Sequence, residues 1–207
     1  MKKPEMKEEN RKKLDNFWYY YKYHVLIGAF VLCMLIVFVK DMLEKVDYDY
    51  EIGFVTDYIM TEEEISALQQ VFEQDAEDLN GDGEIHVAVY NYTLPDENQE
   101  GYDMQLFMAG QTRFTADMQE GTSMIFFISP VNYEKYKDME VLPMEEDDYV
   151  KLSDCAGYKE AGSPETLKEL MGAMRRLDGT KLESDPEIIA YYEASEKLFD
   201  AFVTGKR

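Results

Sequence analysis

The run VLIGAFVLCMLIVFV at 25–39 holds fifteen residues without a charge or a strongly polar group. A helix that is apolar all round has no face to offer water, so it is buried in protein or in lipid. Fifteen residues are short for a span, which takes ~20 at ~1.5 Å each. The flanks lengthen the run. WYYYKY at 18–23 makes an aromatic belt suited to the headgroup level, Lys22 can snorkel, and Met42 and Leu43 add apolar length. The sequence therefore predicts a transmembrane helix over 23–43, inserted in the bilayer with some tilt. The end of the run and the residues after it, FVKDMLEK, contain no small-residue cleavage site. Cys33 has Leu32 before it and more apolar sequence after it, unlike a lipoprotein cysteine. The reading is an uncleaved signal anchor.

Charge sets the expected orientation. The chain carries a formal net charge of -22, unevenly spread: residues 1–40 have eight Lys/Arg against four Asp/Glu (+4), and residues 41–207 have 13 against 39 (-26). The positive-inside rule then puts residues 1–22, a basic and aromatic segment, in the cytoplasm. An acidic domain over 47–207 faces the extracellular side of the cell membrane. Leu14, Phe17, Trp18 and Tyr21 recur at helical spacing. They suit either a helix lying at the interface or the first turns of one continuous helix. A domain at -26 repels phosphate, which excludes nucleic acid as its partner and favours cations and basic proteins. The two cysteines, Cys33 and Cys155, form no disulfide framework and no CxxC motif.

Past Asp47 the hydrophobic period changes. YDYEIGFVTDY (48–58) reads as a strand, and TEEEISALQQVFEQDAED as a helix opened by a Thr61/Glu64 capping box with Ile65, Leu68, Val71 and Phe72 on one face. EIHVAVYNY is a second strand. MQLFMAGQTRFTADMQE is a second helix, with Met104, Phe107, Phe114 and Met118 sharing a face and Gly121 ending it. SMIFFIS is an apolar strand stopped by Pro130. The order β-α-β-α-β implies a small three-layer α/β domain on a mainly parallel sheet with right-handed crossovers. A short helix near 132–138 and a short strand near 140–143 come next, and 144–162 reads as irregular and acidic. Two C-terminal helices follow, one after Pro164 and one after Pro186.

Two places are candidates for chemistry. In DLNGDGEI (78–85), Asp78, Asn80, Asp82, Gly83 and Glu84 match the first seven positions of an EF-type calcium loop, but the twelfth position is Val89. One account is a structural Ca2+ completed by a carboxylate from elsewhere. The other is a turn in which Asp and Asn accept main-chain hydrogen bonds and glycine supplies positive φ. Fold logic supplies the second candidate. Ligands of doubly wound folds bind at the carboxyl ends of the parallel strands, which here means Thr56, Asp57, Tyr90, Asn91, Ser129 and Pro130. His24 and His86 have no partner at zinc-ligand spacing, and no G-x-S-x-G, H-E-x-x-H, P-loop or G-x-G-x-x-G occurs. EEDD at 145–148 reads as a solvated loop.

The run KLDNFWYYYKYHVLIGAFVL, the strand after it, DLNGDGEIHVAVYNYTL and ADMQEGTSMIFFIS together resemble a group of uncharacterised single-pass membrane proteins of clostridial-type Gram-positive bacteria, over about residues 13–130. The resemblance implies a topology and no biochemical role. A weaker likeness, carried by the strand-helix order and MQEGTSMIFFIS, is to one lobe of an extracytoplasmic solute-binding protein. About 160 residues supply one lobe only, with no second lobe to close a cleft. The expectation is a non-catalytic membrane-anchored module that binds a protein or an envelope component. The alternative is a ligand-sensing lobe acting with a partner subunit. A hydrolase, weighed third, would need two carboxylates facing each other across a pocket.

Overall fold

A computed structural model describes residues 8–44, 46–98, 101–139 and 141–206. The chain divides into two units, Met1–Val46 and Asp47–Arg207. The first contains one continuous helix, α1 (Glu8–Glu44). Of the two expected geometries for Leu14 to Tyr21, a single unbroken helix is the one observed. Residues 16–40 of α1 are long and apolar enough to cross a membrane, and none of that stretch is buried. Its 25 residues rise ~37 Å against a hydrocarbon core of ~30 Å. The apolar span therefore takes in the aromatic belt, where Phe17 and Tyr21 stack at 5.1 Å one turn apart.

The second unit is built on five strands: β1 (Tyr50–Thr56), β2 (Val87–Thr93), β3 (Ile125–Ile128), β4 (Val150–Lys151) and β5 (Met171–Met174). Its helices are α2 (Glu62–Glu73), α3 (Met104–Glu120), α4 (Pro130–Tyr136), α5 (Ala156–Glu160) and α6 (Pro186–Thr204). The sheet order is β2-β1-β3-β5-β4. β1 lies parallel to β2 and β3, as the β-α-β-α-β pattern requires, but β5 runs antiparallel to β3 and β4 antiparallel to β5. The sheet is therefore mixed, which corrects the mainly parallel expectation.

The correction has a local cause. The expected helix after Pro164 is only a 3-10 turn at Glu165–Leu167, and the chain then extends into β5. Gly172 sits in β5 with its missing Cβ only 2.5 Å from the Phe127 ring, so this strand packs where a larger residue would collide. The strand expected near 140–143 is absent at 141–143, where the chain turns and bends at 141–142, while residue 140 lies outside the described residues. The paired segment comes later, as β4.

The α2 capping box forms as read: Glu64 N donates to Thr61 Oγ1 at 3.2 Å and Thr61 N to Glu64 Oε2 at 2.7 Å. Alternation along the strands divides the core. On one face Tyr50, Ile52, Phe54, Val87, Val89, Ile125 and Phe127 meet α2, α5 and α6. There Phe54 stacks on Phe127 at 4.8 Å and Phe72 on Phe202 at 4.2 Å. On the other face Val55, Tyr92, Phe126 and Ile128 meet α3 and α4. Of the expected α3 face, Phe114 and Met118 are buried and Phe107 is half-buried, whereas Met104 is 66% exposed. Gly110 and Asp117 complete the buried side instead. On α6, Leu198, Phe199 and Phe202 are buried, and Ile189 points to solvent.

Candidate functional site

The carboxyl ends of β1, β2 and β3 hold the residues that fold logic singled out. Thr56 donates through Oγ1 to the Tyr58 carbonyl at 2.5 Å and accepts from Asn91 Nδ2 at 2.6 Å. Asn91 Oδ1 accepts from Met60 N and from Thr93 Oγ1, each at 2.9 Å. Thr56, Asn91 and Thr93 thus form one hydrogen-bonded set that ties the β1–α2 turn to β2. Ser129 stands apart as the N-cap of α4, accepting from Asn132 N at 3.4 Å and Asn132 Nδ2 at 3.2 Å. Asp57 is half-buried in the bend after β1. Tyr90 is in mid-strand, not at a strand end, with the Arg113 guanidinium 5.7 Å from its ring centroid. Thr56, Asp57, Asn91 and Ser129 line none of four clefts that open among the described residues.

The DLNGDGEI segment is a series of side-chain-to-main-chain turns. Asp78 accepts from Gly81 N at 2.6 Å and Gly83 N at 3.0 Å, Asn80 from Asp82 N at 2.8 Å, and Asp82 from Glu84 N at 2.8 Å. Gly81 and Gly83 hold φ of 76° and 88°, the positive values that such turns need. Glu84 Oε2 lies 3.1 Å from His86 Nε2. Among the described residues no group of three or more His, Cys, Asp or Glu side chains is gathered to hold a metal ion. The anchor of the loop is a residue that pattern reading passed over. Asp49, 4% exposed, accepts from Leu79 N at 2.8 Å, Asn80 N at 3.2 Å and His86 N at 2.8 Å.

A second buried carboxylate lies where β2, α3 and β5 converge. Asp117, also 4% exposed, accepts from Tyr92 Oη and Ser123 Oγ at 2.5 Å each and from Ser123 N at 2.8 Å. The Arg175 guanidinium, fully buried, lies 3.7 Å away and donates to the carbonyls of Asp117, Ser123 and Met118. Arg175 Nε has no partner among the described residues. Burial lowers the Arg175 pKa, and the Asp117 charge opposes that shift. Burial also raises the Tyr92 hydroxyl, reinforced by Asp117. Asp117 and Arg175 lie 58 residues apart, with Tyr92 farther upstream, and periodicity says nothing about the cluster.

Beside it is a small open cleft of about 240 Å³ that includes Glu51, Tyr90, Arg113 and Glu120. Partial burial raises the Glu51 pKa, with the charges of Asp117 and Glu120 adding to it. The largest of the four clefts, about 540 Å³, brings Met174, Tyr192 and Phe199 together with Arg176, Asp178 and Glu196. Cys155 is buried, and burial pushes its thiol up to about 11, where it stays protonated and unreactive at neutral pH. EEDD is exposed as expected, although Glu146–Asp148 form a 3-10 turn. No family model matches the chain, and no curated protein or solved structure matches it either.

Proposed function

We propose that this chain is a single-pass protein of the cell membrane, held by α1 as an uncleaved signal anchor. In this reading its amino terminus is cytoplasmic and its acidic domain extracellular. The domain serves as a non-catalytic module that binds a protein or a cell-envelope component. The observation that carries the reading is α1 itself. Its residues 16–40 are long and apolar enough to cross a membrane, none of that stretch is buried, and most of the basic residues of 1–40 precede the uncharged run. Leaving so much apolar surface in water would cost ~25 cal/mol per Å², so a bilayer is its natural solvent. The likeness to single-pass proteins of clostridial-type bacteria agrees with this topology. The buried carboxylates support the non-catalytic part, because Asp49 and Asp117 are each committed to main-chain or neighbouring side-chain partners.

Protease added to sealed protoplasts tests the topology. The domain after residue 46 is digested while the amino-terminal segment survives. Digestion only after permeabilisation would reverse the orientation and end the proposal. A second reading, a ligand-sensing lobe acting with a partner subunit, is favoured by the cleft of about 540 Å³, a volume within the range of small-molecule sites. It requires that Tyr192→Ala abolish a ligand-induced rise in melting temperature.

A further inference from the structure

The two edges of the sheet are unlike. At one end β4 pairs over only two residues and carries Lys151, a short and charged edge of the kind that discourages further pairing. At the other end β2 runs for seven residues, VAVYNYT, with no charge, no proline and an unbroken register against β1. Leu94 N donates to Thr56 O and Tyr50 N to His86 O, so even-numbered residues of this segment turn their main chain toward β1. The main-chain groups of Val87, Val89, Asn91 and Thr93 therefore point outward. Val87 N is met by Glu73 Oε1 at 3.4 Å, and α3 packs Gly110 onto the Thr93 carbonyl. The outward N–H and C=O groups of Val89 and Asn91 have no partner among the described residues.

The charge around this edge is mainly acidic, with Arg113 over the Tyr90 ring and Lys135 near Asp96 as neighbouring cations. From Val46 to Thr112, which includes β1, α2 and β2, there are 17 Asp/Glu and no Lys or Arg. We propose that the outer edge of β2 takes up an extended, lysine- or arginine-bearing segment of a partner protein as an added strand. The inference deepens the binding-module reading and rests on it. Main-chain hydrogen bonds at Val89 and Asn91 supply register, and the surrounding carboxylates select a basic segment. The same charge disfavours a second copy of the chain, since two domains at -26 would meet.

The test uses the full chain in dodecyl maltoside micelles and a blocked heptapeptide alternating lysine and valine, with its glutamate–valine counterpart as control. The lysine peptide binds, and the amides of Val89 and Asn91 slow in hydrogen exchange while those of Ala88 and Tyr90 are slow throughout. Val89→Pro removes the outward N–H, which an edge strand tolerates, and trims a core side chain, so its melting temperature falls while the transition persists. It loses about tenfold or more in affinity, or ~1.4 kcal/mol. Three results overturn the proposal: no binding, equal binding of the glutamate peptide, or lysine-peptide binding that leaves Val89 and Asn91 exchange unchanged. If Val89→Pro fails to fold, the exchange measurement on the native chain decides. An extracellular domain with any of these three results would discard the edge and keep the anchored-module reading. A cytoplasmic domain would discard that reading whatever the peptide does.

Discussion

Asp49 and Asp117 are equally buried, and the protein accommodates them by different means. Asp49 receives three main-chain N–H groups from a single loop, 79–86, and its role is to hold that loop against the start of β1. Asp117 receives a phenol, a hydroxyl and one N–H, and a guanidinium lies 3.7 Å away. Donors alone satisfy the first. In the second, opposite charges also face each other inside the fold, and each is costly without the other. The difference teaches that the loop resembling a calcium site is organised from outside its own motif, whereas the cluster around Asp117 stands or falls as a unit.

The largest expected effect separates the two directly. Arg175→Ala should destabilise by about 3–5 kcal/mol, because it leaves Asp117 as an uncompensated buried charge. Replacing both partners, Asp117→Leu with Arg175→Met, should recover most of that loss in a urea titration. If the double variant is as unstable as the sum of the singles, the charges are not coupled and the contrast fails. Next comes Asp49→Ala, expected to cost about 2–4 kcal/mol by orphaning three N–H donors. It should increase amide exchange at Leu79, Asn80 and His86 while leaving β5 protected. The hydrogen bonds of the loop also lead to the expectation that chelator at neutral pH leaves the melting temperature unchanged; a fall would show metal sharing in what Asp49 does. Tyr92→Phe should cost about 1–2 kcal/mol, since Asp117 keeps its bonds to Ser123.

The smallest effect concerns Glu51, the neighbour of Asp117. Its pKa is raised in the fold, so protonation favours the folded state and stability falls as pH climbs through that range. Glu51→Gln should therefore raise the melting temperature by roughly 1–2 °C at pH 7, a modest figure because the site is half open to solvent. At pH 4, near the ordinary glutamate value, the gain should be nearly gone. An equal gain at both pH values would mean that burial of charge is not its source.

What could be read from the residues follows the same division between local and distant. The elements from β1 to α4 were legible because each carries its own signal: alternation in YEIGFVT, the Thr61/Glu64 box, Gly121 at φ 76°, and Pro130 after Ser129. β5 was not. MGAM has no β-branched residue, and its place depends on Phe127, far away in the chain. The Asx-type turns of 78–84 were legible as one of two accounts, but Asp49, which pins them, lies about 30 residues upstream. Of the strand-end candidates, Thr56 and Asn91 do come together, bonded to each other, while Ser129 caps a helix. Asp117 and Arg175 looked like two more surface charges among 43 acids and 21 bases.

The order of the strands in space has a consequence for how the molecule is made. β3 is flanked by β1 on one side and by β5 on the other, and β5 ends at residue 174 of 207. A ribosome has delivered α1 long before it releases the strand that finishes the sheet. If the chain crosses the bilayer during synthesis, the first three strands emerge without their antiparallel neighbour and must wait for it. A dense run of negative charge in that early portion would keep the waiting segments from adhering to one another.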